Sequence, residues 1–187
     1  MPTHPVKNPM QLGQWKRSIA YQSLCTFIRD AHTALLDQKR SSFETVTNSK
    51  VVLAEKFLLQ IRDWVKEIKP IQQPMRFGNK SFRVWLAKVK GACTAFHEEL
   101  VGPELTALGA AREIQTYFLD SFGNEQRIDY GTGHELTFAA WMTCLYKVGV
   151  FHKEDLGAVI FHVFTAYLEV TRALQTTYWL VSTPLTE

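Results

Sequence analysis

The sequence has 187 residues, of which 46% are hydrophobic, enough for one packed core. Its longest apolar run is well short of the roughly 18 residues that span a bilayer, and its first ten residues contain no apolar signal segment. The three cysteines form no C-x-x-C pair, which favours a reducing compartment. These features predict a soluble cytoplasmic protein, with the nucleus as a second location, and no membrane partner.

The net charge of +3 conceals an uneven distribution along the chain. Residues 1–90 hold 16 Lys and Arg against 6 Asp and Glu, whereas residues 91–187 hold 5 against 12. The basic residues stand singly along helical segments, so we interpret them as solvated helix faces and expect no nucleic-acid partner. An acidic protein surface as partner is the second interpretation.

The first half of the chain predicts three helices after a loose N-terminal arm, residues 1–12, which contains three prolines. Apolar residues at helical spacing indicate one helix from Gly13 to about Asp37. A second helix runs from about Val51 to Ile68, and Pro70 ends it. Asn79 can then cap a third helix.

The second half continues in the same pattern. Gly102 and Pro103 interrupt the chain before a helix that reaches about Leu119. Further helices are predicted around residues 136–148 and 154–177, and no segment alternates at period two. The sequence therefore predicts one compact all-α domain over residues 13–180, followed by a divergent tail, residues 181–187.

The segment from Ser121 to Glu135, SFGNEQRIDYGTGHE, is the most informative loop because it places glycines and ionisable groups between two apolar helices. Gly131 and Gly133 allow close backbone approach and positive φ, and they lead directly into a helix. The unpaired N–H groups and positive dipole end of a helix N-terminus attract anions. A phosphate or carboxylate site is one interpretation of this segment.

A purely structural interpretation stands beside it. Thr132 and Glu135 have the spacing of a capping box, in which the two side chains satisfy the first N–H groups of their own helix. His134 and Glu135 begin an H-E-x-x-H pattern, but residue 138 is Phe, so we expect no zinc site and assign no metal ligand. His134 is either a hydrogen-bonded structural residue or a ligand contact.

Arg127 and Asp129 also admit two roles. Two residues apart in a loop, they can pair with each other and fix its shape, or one of them can face a ligand, with Asp129 near a phosphate-bound Mg²⁺. The chain contains neither a G-x-x-x-x-G-K-[ST] phosphate loop nor a G-x-S-x-G nucleophile turn. The common NTPase and esterase functions are therefore not supported.

Four segments together resemble the phosphotyrosyl phosphatase activator family. They are QQPMRFGNKSFRVW (residues 72–85), the loop SFGNEQRIDYGTGHE, LYKVGV (residues 145–150) and YLEVTRALQTTY (residues 167–178). The resemblance implies an all-helical fold, binding to the catalytic subunit of the type 2A protein phosphatase, ATP with Mg²⁺ in a deep pocket, and peptidyl-prolyl isomerisation of proline-containing segments.

The resemblance also implies roles for individual residues. It places nucleotide contacts at Arg76, Phe77, Gly131, Thr132 and Gly133. It places the catalytic residues of the isomerisation at Asp129, Tyr130 and His134, which line the same groove. These assignments predict that the RFGN corner and the glycine-bearing bend face one recessed pocket.

The sequence departs from the family after Leu180, where it continues with VSTPLTE and lacks the further family motifs. We therefore expect the C-terminal part of the family fold to be missing, and with it part of the pocket. Three functions remain open: an enzyme-like activator with isomerase activity, a phosphatase-binding module without turnover, and an inactive competitor.

Overall fold

A computed structural model describes residue 6, residues 8–74 and residues 78–180. The described chain is all-helical, with one isolated bridge between Asn124 and Asp129 outside the helices. Its α-helices are α1 (Pro9–Lys16), α2 (Ile19–Leu35), α3 (Ser49–Glu67), α4 (Ser81–Val101), α5 (Pro103–Ala107), α6 (Ala110–Asp120), α7 (Thr132–Lys147), α8 (Leu156–Ala158) and α9 (Thr165–Tyr178). Two 3₁₀ turns, Arg40–Phe43 and Lys153–Asp155, and a π-helical segment, Val159–Phe164, complete them.

Side-chain caps explain where several helices begin. Ser18 Oγ accepts the N–H of Tyr21 at the start of α2, and Asn48 Oδ1 accepts the N–H of Lys50 at the start of α3. The cap at Ser18 splits the single helix that the sequence predicts between Gly13 and Asp37 into α1 and α2. Helix α1 also begins at Pro9, earlier than the apolar spacing indicates.

Glycine conformation divides a second predicted helix. Gly109 has φ of 81°, in the left-handed region, and it separates α5 from α6 where the sequence predicts one helix. Gly149, with φ of 79°, follows α7 and ends it as predicted.

The core is an aromatic cluster between α4, α6, α7 and α9, and Phe118 on α6 lies at its centre. The ring of Phe118 contacts the rings of Phe122 and Trp141, with centroids 4.9 and 5.1 Å away. Phe138 on α7 stacks on Tyr167 of α9 at 3.8 Å. Burying large rings of this kind contributes about 1.5–3 kcal/mol for each side chain, so this cluster fixes how the four helices pack.

The segment between α2 and α3, residues 38–48, crosses the outside of the domain, and we call it the strap. Its 3₁₀ turn carries the Phe43 ring onto Gly157, where an added Cβ would lie 2.0 Å from the ring. The same ring stacks on Phe161 of the π-helical segment at 5.3 Å. The Phe43 ring thus attaches the strap to Gly157 and Phe161 in the C-terminal part of the domain.

Within the described ranges, no helix combines the length and the apolar character needed to cross a membrane.

Candidate functional site

The loop from Ser121 to Gly131, which we call the site loop, packs directly on the corner that precedes α4. A Cβ added to Gly78 would lie 2.5 Å from the carbonyl oxygen of Ile128 and 2.6 Å from its Cγ2 atom. Only glycine allows this approach. Gly78 of the corner therefore contacts the site loop at Ile128. The predicted pocket shared by this corner and the glycine-bearing bend stays a prediction, because Arg76 and Phe77 lie outside the described residues.

Arg83 of α4 holds the site loop, and Asn79 holds the corner that the loop contacts. The guanidinium of Arg83 donates to the carbonyl oxygens of Glu125 and Gln126, at 2.9 and 3.0 Å. Asn79 is fully buried; its side-chain oxygen accepts the N–H of Ser81, and its backbone N–H donates to the carbonyl of Tyr178. The corner thus links the site loop to the end of α9.

Arg127 and Asp129 form the ion pair that their spacing allows. Arg127 Nε donates to Asp129 Oδ2 at 2.6 Å, with the Arg127 side chain 66% exposed and that of Asp129 8% exposed. The hydrogen bond to Asp129 raises the pKa of the Arg127 guanidinium. The structural interpretation of this pair is therefore confirmed.

Tyr130 lies inside the domain, where it joins a chain of hydrogen bonds. Tyr167 Oη donates to the carbonyl oxygen of Ser121 at 2.9 Å, so its own oxygen accepts from Tyr130 Oη, also at 2.9 Å. Burial raises the pKa of Tyr130 to about 12, and it raises that of Tyr167 further. Both phenols therefore stay protonated, and they connect the loop to α9 as neutral donors.

His134 lies in the first turn of α7, against the same loop. Its ring stacks on Tyr130 with centroids 5.6 Å apart, and its Nδ1 lies 2.7 Å from the carbonyl oxygen of Asp120. A carbonyl only accepts, so the neutral ring carries its proton on Nδ1 and leaves Nε2 as an acceptor. In that form His134 donates to Asp120 and to no substrate.

The predicted capping box is wrong. Thr132 is already inside α7, and the N-cap is Gly131, with no side-chain hydrogen bond to the first N–H groups. The predicted positive φ at this bend is also not observed, because Gly131 is extended with φ of −158° and Gly133 is helical. The glycine of this loop with positive φ, 125°, is Gly123, whose added Cβ would lie 2.7 Å from the Asp129 carbonyl.

Nothing in the described structure requires glycine at the start of α7. A Cβ added to Gly131 or Gly133 would meet no atom within 4 Å, and Thr132 and Gly133 are exposed. The exposed surface of the site is therefore the uncapped first turn of α7, while Asp129 and Tyr130 support it from beneath, with 6% and 4% of their surfaces exposed.

Two predicted nucleotide contacts, Arg76 and Phe77, lie outside the described residues. The structure brings together the six others, Asp129, Tyr130, Gly131, Thr132, Gly133 and His134, around the start of α7. A cavity of about 560 Å³ beside Asn48 and His152, and a groove of about 840 Å³ between α3 and α4, are lined by other residues. In the described ranges no three His, Cys, Asp or Glu side chains are grouped to hold a metal ion.

Comparison with known proteins decides the family. The profile described as "Phosphotyrosyl phosphate activator (PTPA) protein" matches residues 2–184, nearly the entire chain. The chain belongs to the PTPA family.

Several PTPA relatives have curated names. Serine/threonine-protein phosphatase 2A activator 2 of Cryptococcus neoformans is 36% identical over 186 residues, which cover 96% of this chain and 46% of that protein. Probable serine/threonine-protein phosphatase 2A activator 1 of Dictyostelium discoideum is 31% identical over 179 residues, covering 96% of this chain and 54% of that one. The chain therefore spans about half the length of these two relatives.

A solved structure confirms the all-helical PTPA fold. The crystal structure titled as the PP2A phosphatase activator Ypa1 PTPA1 has a TM-score of 0.83 and 25% sequence identity. The match covers 96% of this chain and 57% of the other.

Three residues that support the PTPA site escaped the sequence-based assignment. Tyr167 and Arg83 lie inside segments that carry the family resemblance, yet neither was assigned a role, because their partners are 46 and about 42 residues away along the chain. Asn79 was expected only as a helix cap, whereas its amide also bonds the N–H and the carbonyl of Ile71. The sequence signals only the Asn next to Gly78; its burial and its bonds to Ile71 are visible only in the folded chain.

Proposed function

We propose that this chain binds the catalytic subunit of a type 2A protein phosphatase and favours its active conformation. The single observation that supports this function most is the contact at Ile128, where two segments that carry the family resemblance, residues 72–85 and the site loop, pack together. Relatives named as phosphatase 2A activators align with 96% of the chain. A module that binds one conformation more tightly shifts the phosphatase toward it without any covalent step.

The contact surface in this proposal is the exposed tip of the site loop together with the first turn of α7. Glu125, Gln126 and Arg127 are exposed at the tip, and Thr132 is exposed at the start of the helix. The backbone beneath them is fixed by Arg83 and by the Tyr167 hydroxyl. Such a surface needs little reordering on binding, which favours affinity.

The test mixes the purified chain with the phosphatase catalytic subunit and measures complex formation and phosphopeptide hydrolysis in parallel. Thr132→Arg places a long side chain on the proposed surface, and Thr94→Arg introduces the same change at an exposed position of α4. We expect a complex with increased hydrolysis, lost with Thr132→Arg and kept with Thr94→Arg. Binding without activation would identify a competitor instead. Equal effects of the two variants would show that this surface is not the contact with the phosphatase.

Prolyl isomerisation with ATP and Mg²⁺ is a second candidate function, favoured by the uncapped start of α7. Rotation about an X-Pro bond requires no nucleophile, only donors that reduce amide conjugation and an apolar contact for the ring. The first N–H groups of α7 are suitable donors. Because the neutral His134 ring donates to Asp120, we assign the donor role to the backbone and a positioning role to His134 and Tyr130.

The described residues fit a phosphate group but not a metal ion held by side chains alone. The glycines at 131 and 133 leave open space, and the uncapped first turn offers N–H donors to an anion. Thr132 Oγ1 and these amides would hold a phosphate of ATP, which carries its own Mg²⁺ and supplies charge at the site. Asp129 would act from beneath, through its ion pair with Arg127.

Calorimetry with ATP·Mg²⁺ tests this candidate without relying on catalysis. Gly133→Glu adds a like charge beside the proposed phosphate, and Gly91→Glu adds the same side chain where an added Cβ meets nothing within 4 Å. We expect binding to the unmodified chain and to Gly91→Glu, and none to Gly133→Glu. A peptide isomerisation assay on the same three proteins then shows whether bound nucleotide accompanies turnover.

A further inference from the structure

His162, in the π-helical segment, is wedged between the strap and α3. Its Nε2 lies 2.7 Å from the carbonyl oxygen of Phe43 in the strap, and its Nδ1 lies 3.0 Å from Glu55 Oε1 on α3. The side chains of His162 and Glu55 are 22% and 29% exposed, so solvent reaches both in part. One imidazole thus bridges two separate elements of the domain.

Both partners of this ring are acceptors. A backbone carbonyl cannot donate, and an ionised carboxylate only accepts, so each ring nitrogen must supply a proton to make its bond. A neutral imidazole has one N–H and satisfies one partner only. The observed arrangement therefore requires the imidazolium form of His162.

The charges around the ring agree with this protonation state. Burial alone would lower the pKa of His162, but the Phe43 carbonyl and the Glu55 carboxylate together raise it above its ordinary value of 6.5. Arg40 in the strap is the charged group that opposes them. Among the described residues, Glu55 from α3 and Arg40 from the strap are the charged groups that act on the ring.

The strap has few other attachments near this point. Phe43 stacks on Phe161 and contacts Gly157, while Arg40, Ser41 and Ser42 are exposed. Its next contacts with the body lie toward its C-terminal end, where Val46 packs against the core and Asn48 Nδ2 donates to Asp155 Oδ2 and to the carbonyl of Val150. Opening the strap would therefore expose the Phe43 ring and the face of the π-helical segment without disturbing the aromatic core.

We propose that His162 is a protonation-controlled latch that closes the strap over the π-helical segment while both ring nitrogens carry protons. Loss of one proton removes one of the two bonds, and the strap opens more often. The consequence is a surface, lined by Phe43, Gly157 and Phe161, whose exposure depends on pH near neutrality.

The direction of the pH dependence follows from linkage. The Phe43 carbonyl raises the pKa of His162, so this pKa is higher with the strap closed than with it open, and the latch is fully effective below the open-state pKa. It weakens as the pH rises through the closed-state pKa. Each unit by which closure raises the pKa allows up to about a tenfold rise in the opening constant.

Hydrogen exchange of the full chain, corrected for the intrinsic pH dependence of exchange, tests the latch. We expect the strap amides of residues 40–46 to exchange faster at pH 8 than at pH 6, by several-fold, while amides of α4 do not change. His162→Gln should abolish this difference, because an amide side chain does not titrate. His32→Gln, the same change at an exposed histidine of α2, should leave it intact.

An NMR titration of the His162 ring supplies a second, independent measurement. Gly157→Ala pushes the Phe43 ring away without touching His162 or Glu55, and should lower the pKa of His162. Glu55→Gln should lower it as well and should move the exchange transition to lower pH, a test that holds if His162→Gln does not fold. Protection of the strap that is independent of pH in the unmodified chain, or an unchanged transition in Glu55→Gln, would overturn the latch.

Discussion

The site loop and the strap both connect helices across the surface of the domain, yet different chemistry holds each in place. The site loop is fixed by close backbone contact and by groups whose protonation does not change near neutral pH: the Gly78–Ile128 contact, the Tyr167 hydroxyl and the guanidinium of Arg83. The middle of the strap is fixed by the Phe43 ring and by an imidazolium, and its C-terminal end by Val46 and Asn48. Tyrosine hydroxyls and backbone amides keep their protons at physiological pH, whereas an imidazolium does not.

This difference separates a constant region from a variable one within a single fold. A surface that must present the same shape to a partner is best built on groups that do not titrate. A segment that opens and closes with pH requires a group that does titrate. The following changes test how far the two regions behave independently, beginning with the largest expected effect.

Gly78→Val should destabilise the site loop more than any other single change considered. The new side chain would overlap the Ile128 carbonyl and Cγ2, both within 2.6 Å of the Cβ position, and a backbone carbonyl cannot turn aside as the end of a flexible side chain can. We expect a loss of about 3 kcal/mol or more in the free energy of unfolding, measured by urea denaturation. Gly91→Val, where the added Cβ meets nothing within 4 Å, is the control; similar losses in both variants would contradict the close contact.

Acid should destabilise the folded core by protonating His97. The latch at His162 has the opposite pH dependence, because it is strongest at low pH. His97 is fully buried, its Nδ1 donates to the Cys93 carbonyl, and its Nε2 accepts from Trp141 Nε1. Burial lowers the pKa of His97 to about 4, below its ordinary value of 6.5. The unfolded chain therefore binds a proton that the folded chain excludes, and stability is lost as the pH falls from 6.5 toward 4.

The expected loss from this one group is about 3 kcal/mol between pH 7 and pH 4. Stability measured across this range should fall less steeply in His97→Gln than in the unmodified chain, although the variant starts from a lower value. Equal slopes in the two proteins would show that His97 does not titrate in this way.

Much of the fold is predictable from the sequence, because apolar residues at helical spacing are a strong and local signal. The all-α architecture and the end of α7 at Gly149 are confirmed. Asn79 accepts the N–H of Ser81 as a cap would, but the N-cap of α4 is the next residue, Lys80. The breaks at Ser18 and Gly109 were missed, because an apolar stripe continues across them. The π-helical segment gives no sequence signal, since the packing of Phe43 against Phe161 accompanies it only in the folded chain.

In the candidate site, too, features set by sequence neighbours are predictable, and contacts between residues far apart in the chain are not. The Arg127–Asp129 pair was among the alternatives because two neighbours in a loop suffice to form it. The burial of Tyr130 and its bond to Tyr167 depend on residues 37 positions apart, which spacing cannot reveal. The capping box failed for a local reason: the helix begins one residue earlier than the T-x-x-E pattern implies, at Thr132 itself.

Tyr167→Phe should destabilise the protein by about 2 kcal/mol, since it leaves the buried Ser121 carbonyl and Tyr130 hydroxyl each without a partner in this chain of bonds. Thermal or urea unfolding measures the loss. Tyr146→Phe removes a hydroxyl that donates to Asp30 in a half-buried position and should cost less. The loss should not depend on pH between 6 and 8; a dependence there would couple the site loop to the latch.

Arg83→Gln should have the smallest effect on global stability, about 1 kcal/mol or less, because the guanidinium is exposed and solvent competes for its two bonds. Its effect should be local: faster hydrogen exchange at residues 125–128, with the strap unchanged. Exposed contacts of this kind position a loop more than they stabilise a fold. If strap exchange rose together with loop exchange, the two regions would share one opening reaction, and the division between a constant and a variable surface would be wrong.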